Sequence, residues 1–126
     1  MRKRLLAGLL LLLLLGGCST KAALTPEMEV EQHLQNYLTA LEDYDVTTLV
    51  ELSDDIRFPD KKVQLEEYLD IEPDITKTEI IEITAISPTE FEGTISYEDV
   101  NGENEVKFPI IKQKNTWKVI VGQTIR

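Results

Sequence analysis

The chain has 126 residues, 42% of them hydrophobic and 29% charged, with 13 basic against 23 acidic side chains and a formal net charge of −10. That length suits one domain with its own core and is too short for two of ordinary size. An acidic surface repels phosphate, which argues against nucleic acid as a partner, and the single cysteine, Cys18, excludes an intramolecular disulfide.

The first segment has a basic head (Arg2, Lys3, Arg4), an apolar run from Leu5 to Leu15, and a small-residue ending at Gly16-Gly17. This is the three-part layout of a secretory signal. The run is eleven residues long, whereas a helix rising 1.5 Å per residue needs about 20 to cross a bilayer core. Leu15-Gly16-Gly17-Cys18 resembles the lipobox of bacterial lipoproteins. The resemblance implies that the Cys18 thiol takes up diacylglycerol and that cleavage leaves this cysteine as residue one. Residues 1–17 are then a cleaved signal peptide, 18–25 the lipidated cysteine with a short tether, and 26–126 a single domain. Removal of Arg2, Lys3 and Arg4 would take the net charge to −13. The expected location is the extracytoplasmic face of the cell membrane, or the outer membrane where the organism has one. Acyl chains at Cys18 would hold it there, at roughly 0.8 kcal/mol per buried methylene.

Thr25-Pro26-Glu27 reads as an N-cap, a proline at the first helical position and an acid facing the helix dipole. Val30, Leu34, Tyr37, Leu38, Leu41 and Tyr44 then recur on one helical face. Asp43-Tyr44-Asp45 closes this helix, and Asp45 caps a second carrying Val46, Leu49, Val50 and Leu52. After a break at Ile56 to Asp60, a third short helix is expected through Val63, Leu65, Tyr68 and Leu69, capped by Asp60 and ending before Pro73.

Beyond Pro73 the pattern changes from helical to alternating, as in antiparallel strands with one buried face. Lys77 to Ile86 is the first strand, with Ile81 and Ile83 inward and Ile80 and Ile86 as further inward candidates. Glu90 to Val100 follows with Phe91, Gly93, Ile95 and Tyr97 on one face, and Gly93 is a place for the sheet to bend. After a turn at Asn101-Gly102, Glu105 to Lys112 aligns Val106, Phe108 and Ile110. Thr116 to Gly122 finishes with Trp117, Val119 and Val121 inward. Helices first and a meander second give an α+β class: N-terminal helices packed on a curved antiparallel sheet of about four strands.

Two segments carry a further resemblance. Tyr37 to Leu49 is similar to the helix, acidic turn and second helix that open proteins of the nuclear transport factor 2-like superfamily. Asn115-Thr116-Trp117-Lys118-Val119 resembles its final hairpin. Both also occur in small lipoproteins with a cystatin-like fold. The resemblance implies a helix cradled by a curved sheet with a pocket between them. It implies no single activity, because that superfamily holds isomerases, dehydratases, adaptors and proteins without chemistry.

The candidate pocket or core lining comprises Leu34, Tyr37, Leu38, Leu41, Phe91, Ile95, Tyr97, Phe108 and Trp117. His33, the only histidine, sits on the shoulder of the first helix and reads as a surface or packing residue. No partner for general acid–base work is apparent, so no catalytic residue is expected; a buried acid between Asp43 and Asp55 would reopen that possibility. Asp43 with Asp45 and Asp54 with Asp55 read as helix caps. The run from Asp99 to Glu105 reads as a hairpin turn, since it lacks the twelve-residue calcium loop. Neither metal nor cofactor is expected. A cystatin-type inhibitor loop is excluded, as Lys118-Val119-Ile120-Val121-Gly122 lacks the required Gln. The leading expectation is a non-enzymatic, membrane-tethered module that meets another envelope protein. The alternative is a binder of a small apolar or amphipathic ligand between helix and sheet, which requires an interior not closed by Leu38, Leu41, Phe91, Ile95 and Trp117. An isomerase- or dehydratase-type enzyme ranks third.

Overall fold

A computed structural model describes residues 23–122. The expected signal peptide and lipobox, with Cys18, lie outside the described residues. The elements run α1 (Pro26–Asp43), α2 (Val46–Leu52), β1 (Ser53–Asp55), α3 (Lys61–Asp70), β2 (Thr76–Ser87), β3 (Glu90–Asp99), β4 (Gly102–Gln113) and β5 (Thr116–Val121).

Each helix begins where a side-chain oxygen takes up an amide of the first turn, which has no carbonyl of its own to bond. Thr25 Oγ1 accepts from Met28 N at 3.2 Å, Asp45 Oδ1 from Thr48 N at 3.3 Å, and Asp60 Oδ1 from Val63 N at 3.0 Å. Helix α1 stops at Tyr44, whose backbone turns left-handed at φ 52° and ψ 44°. That conformation costs a non-glycine residue about 1–2 kcal/mol. It is offset by bonds from the Tyr44 and Asp45 amides to Leu41 O and Ala40 O and from the Tyr44 hydroxyl to Tyr68 O at 2.6 Å.

The sheet has five strands in the order β1-β5-β4-β3-β2. Neighbours from β5 to β2 are antiparallel, and the short β1 adds in parallel to β5 with Ser53 opposite Val119. The class is α+β with the helices on one face, and the sheet is one strand wider than expected. Val30, Leu34 and Leu38 from α1 meet Phe91, Ile95, Ile110, Trp117 and Val119 from the strands in one buried core. Each such side chain contributes about 1.5–3 kcal/mol. The close approach of α1 to β3 depends on Gly93, where a Cβ would lie 2.9 Å from Leu34 Cδ2 and 3.1 Å from Ile110 Cδ1.

Three local expectations are corrected. In β2, Ile80 and Ile83 pack on the core, but Ile81 and Ile86 are exposed. The pairing with β3 shifts between Ile80 and Glu82 and again between Ala85 and Ser87. Each shift inserts one extra residue, and the extra residue leaves the alternation. In α3, Leu69 is exposed while Gln64 is enclosed. The helix packs chiefly on α2, and there Gln64 Nε2 donates to Ser53 Oγ at 3.0 Å. Finally, Asp45 caps a helix as expected, but Asp54 and Asp55 do not; they form β1.

Candidate functional site

Between the C-terminal half of α1, the helix α3 and the inner faces of β3 and β4 lies a cavity of about 550 Å³. Its walls are largely apolar or aromatic: Tyr37, Leu41 and Tyr44 from α1; Phe58, Tyr68, Ile71 and Ile75 around α3; and Ile95, Tyr97, Val106 and Phe108 from the sheet. Of the nine lining candidates read from the sequence, Tyr37, Leu41, Ile95, Tyr97 and Phe108 face this cavity. Leu34, Leu38, Phe91 and Trp117 lie in the packed core instead. The Trp117 indole donates to Glu29 Oε1 at 3.0 Å, and Phe91 meets the indole ring edge-on at a centroid distance of 5.6 Å. The interior is thus filled at the Trp117 end and open at the Tyr37 end.

The polar centre behind the cavity wall is Asp55, which is 1% exposed. Its Oδ1 accepts from Arg57 N at 3.1 Å and Arg57 Nε at 2.8 Å. Its Oδ2 accepts from Arg57 Nη2 and the Tyr68 hydroxyl, both at 2.6 Å. Burial raises the carboxyl's pKa, but the bonds from Arg57 and Tyr68 outweigh it and hold the group below the usual carboxylate range. Asp55 is therefore ionised with its lone pairs engaged, and a carboxylate so occupied is poorly placed to take a proton from a bound molecule. Gly122 follows β5 at φ 100° and lies against this pair; a Cβ there would come within 2.9 Å of Arg57 Cγ and 3.1 Å of Asp55 Oδ1.

Two phenols on the wall differ in what they bond. Tyr68 donates to Asp55, and both burial and that bond raise its pKa. Tyr37 is 4% exposed, its ring meets Phe108 edge-on at 5.9 Å, and its pKa is raised mainly by burial and next by the nearby Tyr68 and Asp55. It is a neutral phenol, and its hydroxyl makes no hydrogen bond among the described residues.

His33 lies away from the cavity. Its Nε2 donates to Leu52 O at 2.9 Å, and burial lowers its pKa despite that bond, so the ring is a neutral link between α1 and the end of α2. Among the described residues no group of three His, Cys, Asp or Glu is placed to hold a metal ion, and no helix is long and apolar enough to cross a membrane.

The sequence reading named Asp55 as a helix cap and as the limit of the stretch in which a buried acid would matter, and Asp55 is that buried acid; its partner Arg57 was not anticipated. Residues two apart in extended chain share a face, so Ser53 and Asp55 both point inward from β1, and the turn that follows brings Arg57 back onto Asp55. An acid and an arginine at that spacing are the visible signal for the pair.

No family model and no curated protein matches the chain. Solved structures do. A ketosteroid isomerase-like protein from Erwinia carotovora atroseptica SCRI1043 aligns with TM-score 0.52 at 17% identity over 72% of this chain and 88% of that one. An NTF-2 like protein of unknown function from Shewanella oneidensis MR-1 aligns with TM-score 0.53 at 13% identity over 75% and 95%. A putative NTF2-like transpeptidase from Campylobacter jejuni aligns with TM-score 0.52 at 11% identity over 73% and 97%. At these identities the likeness concerns architecture: the chain has the nuclear transport factor 2-like fold.

Proposed function

We propose that this chain is a non-enzymatic, membrane-tethered lipoprotein domain that binds a small apolar or amphipathic ligand between α1, α3 and the sheet. The observation that carries this reading is the cavity of about 550 Å³ with its mainly apolar wall, a size and character suited to small-molecule sites. Asp55 supports a binding role over a catalytic one, because its oxygens are already committed to Arg57 and Tyr68. The lipobox supports the tether.

Titration of the purified full chain with Nile red, an uncharged dye that brightens in apolar surroundings, tests the reading. One saturable site is expected. Val106→Trp, which fills the cavity from β4, is expected to abolish it while the unfolding transition stays cooperative. Absence of saturable binding in the wild type, or undiminished binding in a folded Val106→Trp, would refute the reading.

Docking of an envelope protein is the second reading. It draws on Ile81, Ile86 and Val100, which are exposed along and beside the edge strand β2. Cross-linking through cysteines placed at 81 and 86 in intact cells would recover a discrete adduct if it holds.

A further inference from the structure

We propose that the cavity selects cationic amphiphiles: an apolar body fills the interior, and an ammonium-type head rests at the rim formed by the end of α3 and the 71–75 segment. The proposal rests on the ligand-binding reading above and adds the charge of the ligand.

The rim has an apolar inner side and an acidic outer one. Tyr68, Ile71, Pro73 and Ile75 line the cavity, while Glu66, Glu67, Asp70, Glu72 and Asp74 are exposed between and beside them. No basic residue interrupts this stretch between Lys62 and Lys77. The last turn of α3 carries no basic side chain either, so the negative end of its dipole is uncompensated and adds to the same field. One exposed carboxylate attracts a cation weakly, but several of one sign around an apolar-walled opening focus their field into it.

The cations nearby are already matched. Arg57 is the cationic side chain on the wall; it gives two side-chain bonds to Asp55 and lies over the Phe58 ring at 5.4 Å. Lys77, the next cation along the chain, pairs with Glu98 at 3.5 Å. Glu67, by contrast, lines the cavity and has no hydrogen-bond or ion-pair partner among the described residues. The uncommitted charge of the lining is therefore negative. Independently, the interior holds a polar group that no side chain completes. Tyr37 is 4% exposed and lines the cavity, and its hydroxyl is unpartnered among the described residues, a costly arrangement in an empty space. An anionic head would be repelled at the mouth, and an uncharged one would gain nothing from the rim.

Nile red bound to the purified full chain is displaced at neutral pH with three competitors of one chain length, each below its micelle concentration: decyltrimethylammonium, the net-uncharged decyldimethylamine oxide, and decyl sulfate. The cation is expected to displace the dye at about fivefold lower concentration than the amine oxide, with decyl sulfate weakest and the cation's advantage shrinking as salt is added. Glu67→Gln is expected to weaken the cation about threefold and leave the amine oxide unchanged. Glu31→Gln removes an equal charge from the exposed surface of the N-terminal half of α1 and is expected to change neither. Neutralising Glu66, Glu67, Asp70, Glu72 and Asp74 together as the amides is expected to abolish the preference while unfolding stays cooperative, since all five are exposed. The amine oxide or decyl sulfate displacing as well as the cation, equal losses in Glu67→Gln and Glu31→Gln, or a preference that survives neutralisation of the whole rim would overturn the proposal while the pocket reading stands. Failure of Nile red itself to bind would remove both.

Discussion

Asp55 concentrates the electrostatics of the molecule in one enclosed carboxylate. Its pKa lies lower in the folded chain than in the unfolded one, where about 3.9 is usual. As pH falls, the unfolded chain therefore takes up the proton first. The stabilisation is complete above about pH 4 and is lost as pH drops through the folded-state value. Asp55→Asn is expected to cost about 2 kcal/mol at neutral pH. That is less than the 3–5 kcal/mol of a fully buried pair, because the Arg57 side chain is 57% exposed and stays hydrated. The same variant should flatten the acid limb, which urea unfolding at pH 7, 4 and 3 would reveal; an unchanged limb would exclude Asp55 as its source. His33, with its lowered pKa, acts in the same sense from about pH 6.5 downward, and a shallower loss there is expected to vanish in His33→Gln. Gly93 is the other residue on which the packing turns. Adding a methyl group would press on Leu34 and Ile110, so Gly93→Ala is expected to destabilise by about 1–3 kcal/mol, measured as a lowered denaturant midpoint with unchanged slope.

Helix α3, which walls the cavity, and β2, which forms one edge of the sheet, are both held in ways that hydrophobic periodicity does not encode. Polar bonds do much of the work on α3: Lys61 Nζ donates to Val50 O at 3.0 Å and also to Ser53 O, Gln64 bonds Ser53, and the Tyr44 hydroxyl caps Tyr68 O. Tyr44→Phe should free the end of α3 at a cost of about 1 kcal/mol. The effect is expected as faster amide exchange confined to 66–71; a uniform rise across the chain would instead indicate global destabilisation. Near its start β2 carries Lys77 at φ 53°, and beside it the Glu42 carboxylate accepts from Thr78 N at 3.0 Å and from the Thr78 hydroxyl. These irregularities suit an edge strand, since bulges discourage pairing with a second chain. They also explain what could be read in advance. The stripe on α1, the caps at Thr25, Asp45 and Asp60, and the alternation in β3 and β5 are local signals and were legible. Strand β1 was not, because three polar residues acquire strand identity only through Val119 to Val121, far along the chain. The inward set of β2 was misread because bulges shift the phase of alternation without changing composition.

At the scale of the whole molecule, one end of the interior is filled by aromatic packing around Trp117 and the other is left open beneath α3. The candidate lining was legible as a set of inward positions. Its division between core and cavity was not, because that depends on where α3 and the 71–75 segment come to rest. The proposed tether makes a separate prediction. Cys18→Ser is expected to move the protein from the membrane fraction to the soluble extracytoplasmic fraction without altering Nile red binding; retention in the membrane fraction would rule out lipidation at Cys18 as the attachment.

The parallel pairing of β1 with β5 also orders events in time. The carboxylate of Asp55 and the chain around it come to rest against Gly122, beside the strand through which β1 joins the sheet. A growing chain thus carries both halves of the Asp55–Arg57 pair long before it has the surface that encloses them. The wall that Asp55 and Arg57 support can be completed only after β5 has been made, so until that strand is synthesised the cavity is unfinished.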